Sequence, residues 1–388
     1  MTKQLFTCRS ATSKDIADII SLYNTAYKGT YPDPIFSNYG LLETEIEAKN
    51  KKIYVSINNE TNDVIACIEF NYDPDNLIAK AGSAVVSVSA QGNNLTKILI
   101  NFGIDDIVNN TDGLDLLYIT TRTVHKVAQH LTNKIGFKTL GIFPNAHKTT
   151  HYETHALAGL YFDGALSKRY SDFEQHPRIK PVFDVIKNEC NLKEQNENKS
   201  WNEKVIDGEV PTLEIINAIE FVKARYKKRK DNNDIELGFF PFHGPTAMII
   251  SPDESIEVFV SINQIDKHCV ITGVKIDRKV SFTKLFLKVS NMLRDLGVRY
   301  IEMIVRANRL NIIDKVIKAK FIPCGYVPAF QLEDGKRYDY AVFSRSFEVL
   351  DFNNIEIAGV GEKLLQEYVK TWSEISLGKT LFSGLKND

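Results

Sequence analysis

Residues 83–99 read SAVVSVSAQGNNLTKIL. Ala84, Val85, Val86 and Val88 form a short apolar run, read as a buried strand over 83–89. Gly92 marks a turn, and a helix begins near Leu95. The first amides of a helix have no partner inside it, and the helix dipole adds partial positive charge there. A strand, a glycine turn and a helix in direct succession therefore form a cradle for a pyrophosphate. Many α/β proteins carry such a turn for packing reasons alone, so its neighbours decide the reading.

Upstream, a strand is expected over 5–9. Thr12 or Ser13 then caps a helix carrying Ile16, Ile19, Ile20, Tyr23 and Tyr27 at helical spacing. Pro32 and Pro34 end it. A second helix follows near 41–51, then strands over 52–57 and 64–70, separated by turns rich in Asn and Asp. Downstream come a helix near 95–108, a strand near 114–121, a helix near 125–134, and strands near 138–142 and 155–162. The fold class is α/β, a mixed sheet of the α+β kind with antiparallel strands first and a crossover later.

The second half repeats this order. Strands are expected at 246–251, 256–263 and 269–276, a long amphipathic helix at 281–296, a strand at 300–306, a helix at 308–319, and strands at 321–326 and 339–347. A diverged internal duplication explains the repetition. The expected organisation is a first domain over 1–170, a polar, mostly helical connector over 171–234, a second domain over 235–350 and a C-terminal helix within 351–388. The basic-then-acidic run 223–234, KARYKKRKDNND, reads as a solvated helix end.

The 388 residues carry 48 Lys and Arg against 49 Asp and Glu, a formal net charge of −1, which supplies no field for a polyanion. No nucleic-acid partner is expected. The five cysteines, Cys8, Cys67, Cys190, Cys269 and Cys324, are widely spaced, and each reads as a small buried hydrophobe in a reducing compartment. The start, MTKQLFTCRSATSKD, has no apolar core of a signal peptide, and no run of about 18 apolar residues exists. A cytoplasmic protein without a membrane partner is expected.

The segment Gln91-Gly92-Asn93-Asn94-Leu95-Thr96 resembles the coenzyme A pyrophosphate turn of the GNAT (GCN5-related N-acetyltransferase) superfamily, Arg/Gln-x-x-Gly-x-Gly/Ala after the fourth strand. Gln91 and Gly92 fit the start of the turn. Asn94 stands where the family has its second Gly, and Asn tolerates the left-handed backbone region. Thr96 stands where the family has Gly or Ala. The stretch His125–Phe137, HKVAQHLTNKIGF, is similar to the family's helix-to-strand segment ending in Gly-Phe. His125 and Ala128 hold the places of its Asn-x-x-Ala, and His125 with Gln129 matches a His…Gln pair of one subgroup. Where the family places a Tyr that protonates the departing thiolate, this chain has Thr132.

The resemblance covers roughly residues 5–165 and implies two tandem GNAT-like domains, each a twisted mixed sheet flanked by helices. It implies an acyl-CoA co-substrate, acetyl-CoA or another, seated by Val86, Val88, Gln91, Gly92, Asn93, Asn94, Leu95 and Thr96. A strand amide near Val86–Val88 would bind the thioester carbonyl, and a small-molecule amine, amino acid or peptide-like acceptor would attack directly. Glu69 and His125 are the candidate bases. The plain reading of Glu69 is a solvated edge carboxylate, and of His125 a helix-start residue. The second half resembles the same fold over about 235–348, but its helix is entered through Ile276-Asp277-Arg278-Lys279-Val280-Ser281. With no Gly and an Asp in that turn, it is expected to have lost the phosphate cradle.

His147, His151 and His155 would share one face of a helix, as metal ligands require, but the sequence around them reads as strand and loop, so no metal is expected and they read as polar lining. Two other function classes stay open. One is a non-catalytic acyl-CoA-binding or partner-binding module with a decayed site. The other is a tandem-fold aminoacyl-tRNA-dependent transferase, for which no long helical arm is visible. The oligomeric state is left open.

Overall fold

A computed structural model describes residues 5–31, 33–148, 152–162, 164–198, 208–276, 280–357 and 359–377. The chain divides into two compact units, one of residues 1–120, 130–137 and 159–165, the other of residues 121–129, 138–158 and 166–388. These cuts fall at other places than the expected boundaries at 170, 234 and 350.

The first unit is built on β1 (Phe6–Ser10), α1 (Ile16–Tyr27), α2 (Tyr39–Glu47), β2 (Lys51–Asn58), β3 (Val64–Asp73), β4 (Ile78–Val86), α3 (Leu95–Asn110) and β5 (Leu116–Arg122, its last two residues in the second unit). The strands neighbour each other in chain order, antiparallel from β1 to β4 and parallel between β4 and β5. Alternation along β2 and β3 sends side chains to two faces. Ile53, Val55 and Cys67 pack with Ile16, Ile19 and Leu22 of α1. On the other face, Tyr54 meets Phe70 and Phe102 of α3 edge-on, and its hydroxyl donates to Asp106 at 2.7 Å. Gly103 lets α3 lie close, because a Cβ there would stand 2.7 Å from the Phe70 ring.

One strand differs from the sequence reading in a way that matters. β4 ends at Val86, and Val88–Ala90 is a 3-10 turn, so the expected strand over 83–89 is displaced toward the N-terminus. β4 also carries a β-bulge. Cys67 opposes Val85 and Glu69 opposes Gly82, so β4 carries one extra residue there, and Ser83 sits at φ 52°.

The other elements are α4 (Lys126–Ile135, shared by both units), β6 (Lys138–Lys148), β7 (Tyr152–Tyr161), α5 (Lys180–Cys190), β8 (Glu214–Ile216), α6 (Ile219–Asp231), β9 (Ala247–Ile250), β10 (Ile256–Asn263), β11 (His268–Ile276), α7 (Phe282–Asp295), β12 (Tyr300–Arg306), α8 (Leu310–Lys318), β13 (Ile322–Glu333), β14 (Lys336–Ser346) and α9 (Val360–Ser376). The strand order is β7-β6-β13-β14-β12-β11-β10-β9-β8. β11 and β12 are parallel, as β4 and β5 are in the first unit. β6 and β13 meet through Gly141 and Gly325, where a Cβ on either would stand 3.0 Å from the other's Cα. The stretch 171–234, read as a connector, contains β8 and α6, which repeat β1 and α1. Tyr23 and Tyr226 both lie seven residues into their helices, and each hydroxyl donates to the carbonyl of a bulge residue, Ser83 or Thr272.

Among the described residues no helix is long and apolar enough to cross a membrane. All five cysteines are free; Cys67, Cys190, Cys269 and Cys324 are buried, and Cys8 is half-buried.

Candidate functional site

The bulge shapes the end of β4. Its ladder with β5 runs from Ile78↔Leu116 to Ala81↔Ile119 and stops, although β4 continues to Val86. Beyond the bulge, Ser87 donates its amide to Ile65 O of β3 at 2.8 Å. Successive amides of a strand point to opposite edges, so the Val86 N–H points to the edge that β5 has left. Val88, by contrast, lies off the strand and is 74% exposed. Within 86–88, Val86 is thus the residue that lies on the strand with its amide toward that edge.

The turn that follows is shaped for amide display. Gly92 lies at φ 86° and Asn94 at φ 57°, both left-handed. Asn accepts this region of backbone space more readily than most non-glycine residues. Asn93 ties the turn back through its side-chain amide, which donates to Ala90 O at 3.0 Å. Leu95 is buried and anchors the start of α3, while Gln91, Gly92, Asn93 and Asn94 are exposed and Thr96 is half-buried. The amides of Ala90 and Gln91 donate to Ser87 O and Val88 O, and Ile98 donates to Asn94 O. Among the described hydrogen bonds, none uses the amides of Gly92 to Lys97, and no side chain caps α3. Six consecutive amides around this helix start thus have no partner among the described hydrogen bonds.

No family model matches the chain, and no curated protein matches it. Solved structures of similar fold include a GNAT-family acetyltransferase from Streptococcus pneumoniae (19% identity, 40% of this chain and 99% of that one, TM-score 0.36). Two others are a phosphinothricin acetyltransferase from Sinorhizobium meliloti in complex with AcCoA (15%, 42% and 90%, 0.36) and spermidine N-acetyltransferase from Vibrio cholerae in complex with CoA and spermine (18%, 40% and 95%, 0.35).

Glu69 is not a solvated edge carboxylate. It is 8% exposed on the α1 face of β3. Its Oε1 accepts from Ser83 Oγ at 2.8 Å, and its Oε2 lies 2.9 Å from Lys51 Nζ, which also reaches Glu45 at 3.1 Å. Burial alone would lower the Lys51 pKa, but Glu69 and Glu45 together raise it, so the lysine stays charged. Around this carboxylate stand Tyr23, Tyr31 and Asp33. Tyr23 stacks on Phe36 at 4.1 Å and meets Tyr31 at 4.9 Å. Burial pushes the Asp33 carboxyl up, against the bond it accepts from the Ile35 amide, and the charge of Glu69 pushes it up further. The sequence treated residues 30–34 only as a helix break, and nothing local in that stretch signals that Tyr31 and Asp33 face Glu69.

His125 is exposed, just before α4, and belongs to the second compact unit, outside the cluster built on Glu69 and Ser83. Gln129 of its pair donates to Glu356 O at 2.7 Å. Thr132, in the place of the family's tyrosine, is 4% exposed.

His147 and His155 lie on strands, not on a helix, with ring centroids 4.3 Å apart; His151 lies outside the described residues. His147 bonds Asp266, and His268 stacks on both His147 and Tyr300. Among the described residues no three His, Cys, Asp or Glu side chains converge to hold a metal ion. Burial and then the neighbouring charge of His147 lower the His155 pKa to about 4, against Glu153. The unfolded chain therefore takes up a proton here below its ordinary value of 6.5, and the folded chain only near 4. Stability should fall as pH drops from 6.5 to 4, by up to about 3 kcal/mol from this group. Urea unfolding across that range checks it, and His155→Gln should flatten the slope.

The corresponding turn of the second half, residues 277–279, lies outside the described residues.

Proposed function

We propose that the chain is an acyl-CoA-dependent N-acyltransferase, with acetyl-CoA as the simplest donor and a small amine as acceptor. The observation that carries this reading is the run of uncommitted amides from Gly92 to Lys97, directly after a strand whose Val86 amide faces an open edge. The pyrophosphate accepts from the turn amides, and the thioester carbonyl accepts from Val86 N–H. The amine nitrogen attacks the carbonyl carbon, and negative charge grows on the oxygen that Val86 holds. The C–S bond then breaks, and the thiolate leaves with the electron pair. The ammonium proton passes to a base, for which Glu69 and Asp33 of the first unit are the candidates. Glu69 is held by the Ser83 hydroxyl and by the Lys51 ammonium. Asp33, whose carboxyl burial raises, is the better matched carboxylate.

A second reading is a module that binds acyl-CoA without turnover. It is favoured by Thr132, a buried hydroxyl in place of a phenol, and by the engagement of Glu69.

Thermal unfolding with and without acetyl-CoA tests the shared premise. A ligand at a hundred times its Kd adds about 2.7 kcal/mol, which raises Tm by roughly 5 °C. No shift with any acyl-CoA removes both readings. Thiol release across a panel of amines then separates them: release supports transfer, and binding without release supports the module.

A further inference from the structure

The second unit repeats the splayed edge of the first and then closes it with its own chain. The parallel ladder of β11 and β12 runs only from His268↔Tyr300 to Val270↔Glu302, although β11 continues to Ile276 and β12 to Arg306. β11 also carries an extra residue, Thr272, between the pairs Val260↔Ile271 and Phe259↔Gly273. Tyr226 Oη donates to Thr272 O at 2.9 Å, as Tyr23 does to Ser83 O. One pair beyond each bulge stand Val86, opposite Ala66, and Val274, opposite Val258. The two valines are equivalent positions.

Their amides meet different fates. Val274 N–H donates to Glu236 O at 2.8 Å, and Glu236 N–H donates to Val274 O at 2.6 Å. The segment around Glu236 is fixed at three further points. Ile235 fills the space over Gly273, where a Cβ would stand 2.5 Å from Ile235 Cδ1. The Glu236 carboxylate pairs with Arg309. The single Tyr226 Oη proton is shared, with Thr272 O at 2.9 Å and Gly238 O at 3.2 Å. A backbone amide pair in this position does what an amide-bearing ligand would do, by strand addition to an open edge.

We propose that residues 235–238 are a built-in plug that takes the edge of β11 in place of a ligand, so that one chain binds one acyl-CoA, in its first unit. The stoichiometry rests on the transferase reading above; the plug itself does not.

Amide hydrogen exchange of the full chain without ligand tests the plug directly. Val274 should exchange at least about a hundredfold more slowly than Val86. Equal rates overturn the proposal. Calorimetry and exchange with acetyl-CoA test the stoichiometry. Saturation at one per chain, with slowing confined to residues 86–97, is expected. Two per chain, or slowing at 269–276, overturns it. If acetyl-CoA does not bind at all, the transferase reading fails, while the Val274 rate still decides whether the plug exists.

Discussion

Gly92→Asp is expected to weaken acetyl-CoA binding by at least a hundredfold, about 2.7 kcal/mol or more, and to remove the ligand-induced rise in Tm. A Cβ at residue 92 meets nothing within 4 Å, so the substitution has room and the fold survives. Two effects then act on the ligand. The new carboxylate stands among the amides that would receive the pyrophosphate, and like charges at short range repel. The positive φ of 86° is also one that a side chain resists, which shifts the turn away from the geometry that aims those amides. Gly92→Ala separates the two, since it carries the backbone strain without the charge, and it should cost roughly tenfold in Kd, about 1.4 kcal/mol. Calorimetric titration of both variants is the measurement. If Gly92→Asp binds as the parent does, the seat is not at this turn.

The turn was legible because its conformation is written in residue types. Gly92 and Asn94 are residues that accept a left-handed backbone, and both adopt one. Leu95 was legible as the first core residue of α3 for the same local reason. The bulge at Ser83 was not, since nothing in Ala81-Gly82-Ser83-Ala84 states that β4 carries one residue more than β3 opposite it. Register is a property of two strands together. The Glu69 cluster escaped for a similar reason, because α2, β2, β3 and the 30–36 stretch supply its members separately. The start of the second repeat was hidden by composition. Residues 223–231, KARYKKRKD, look like a solvated run, and Arg225 and Arg229 are instead spent on the buried Glu257. Tyr226, at the same place in its helix as Tyr23, was the surviving signal.

Asp339→Ala should destabilise the second unit by about 4 kcal/mol. Asp339 is 2% exposed on β14 and is held by three donors: Arg169 Nε at 2.6 and 2.8 Å to its two oxygens, Tyr326 Oη at 2.5 Å and the Ala329 amide at 2.9 Å. Burial pushes its carboxyl up, and Arg169 opposes this. The Arg169 side chain is itself 4% exposed, so removing the carboxylate leaves a buried guanidinium with neutral partners only among the described residues, Gln195 Oε1 at 2.8 Å and the Tyr326 hydroxyl. The backbone suffers as well. β13 leaves register with β14 between Val327 and Gln331, Ala329 sits at φ 53°, and its amide and carbonyl are clamped by Asp339 and by Arg337 Nε at 2.7 Å. Losing one jaw of that clamp leaves a buried donor unmet. The double replacement Arg169→Met with Asp339→Leu removes both charges together and should cost less than Asp339→Ala alone, because no ion is left buried without its partner. Urea unfolding of the three chains decides it. A loss below about 1 kcal/mol in Asp339→Ala would mean that Arg169 reaches water in the variant, and that the pair sets the shape of β13 without supplying its stability.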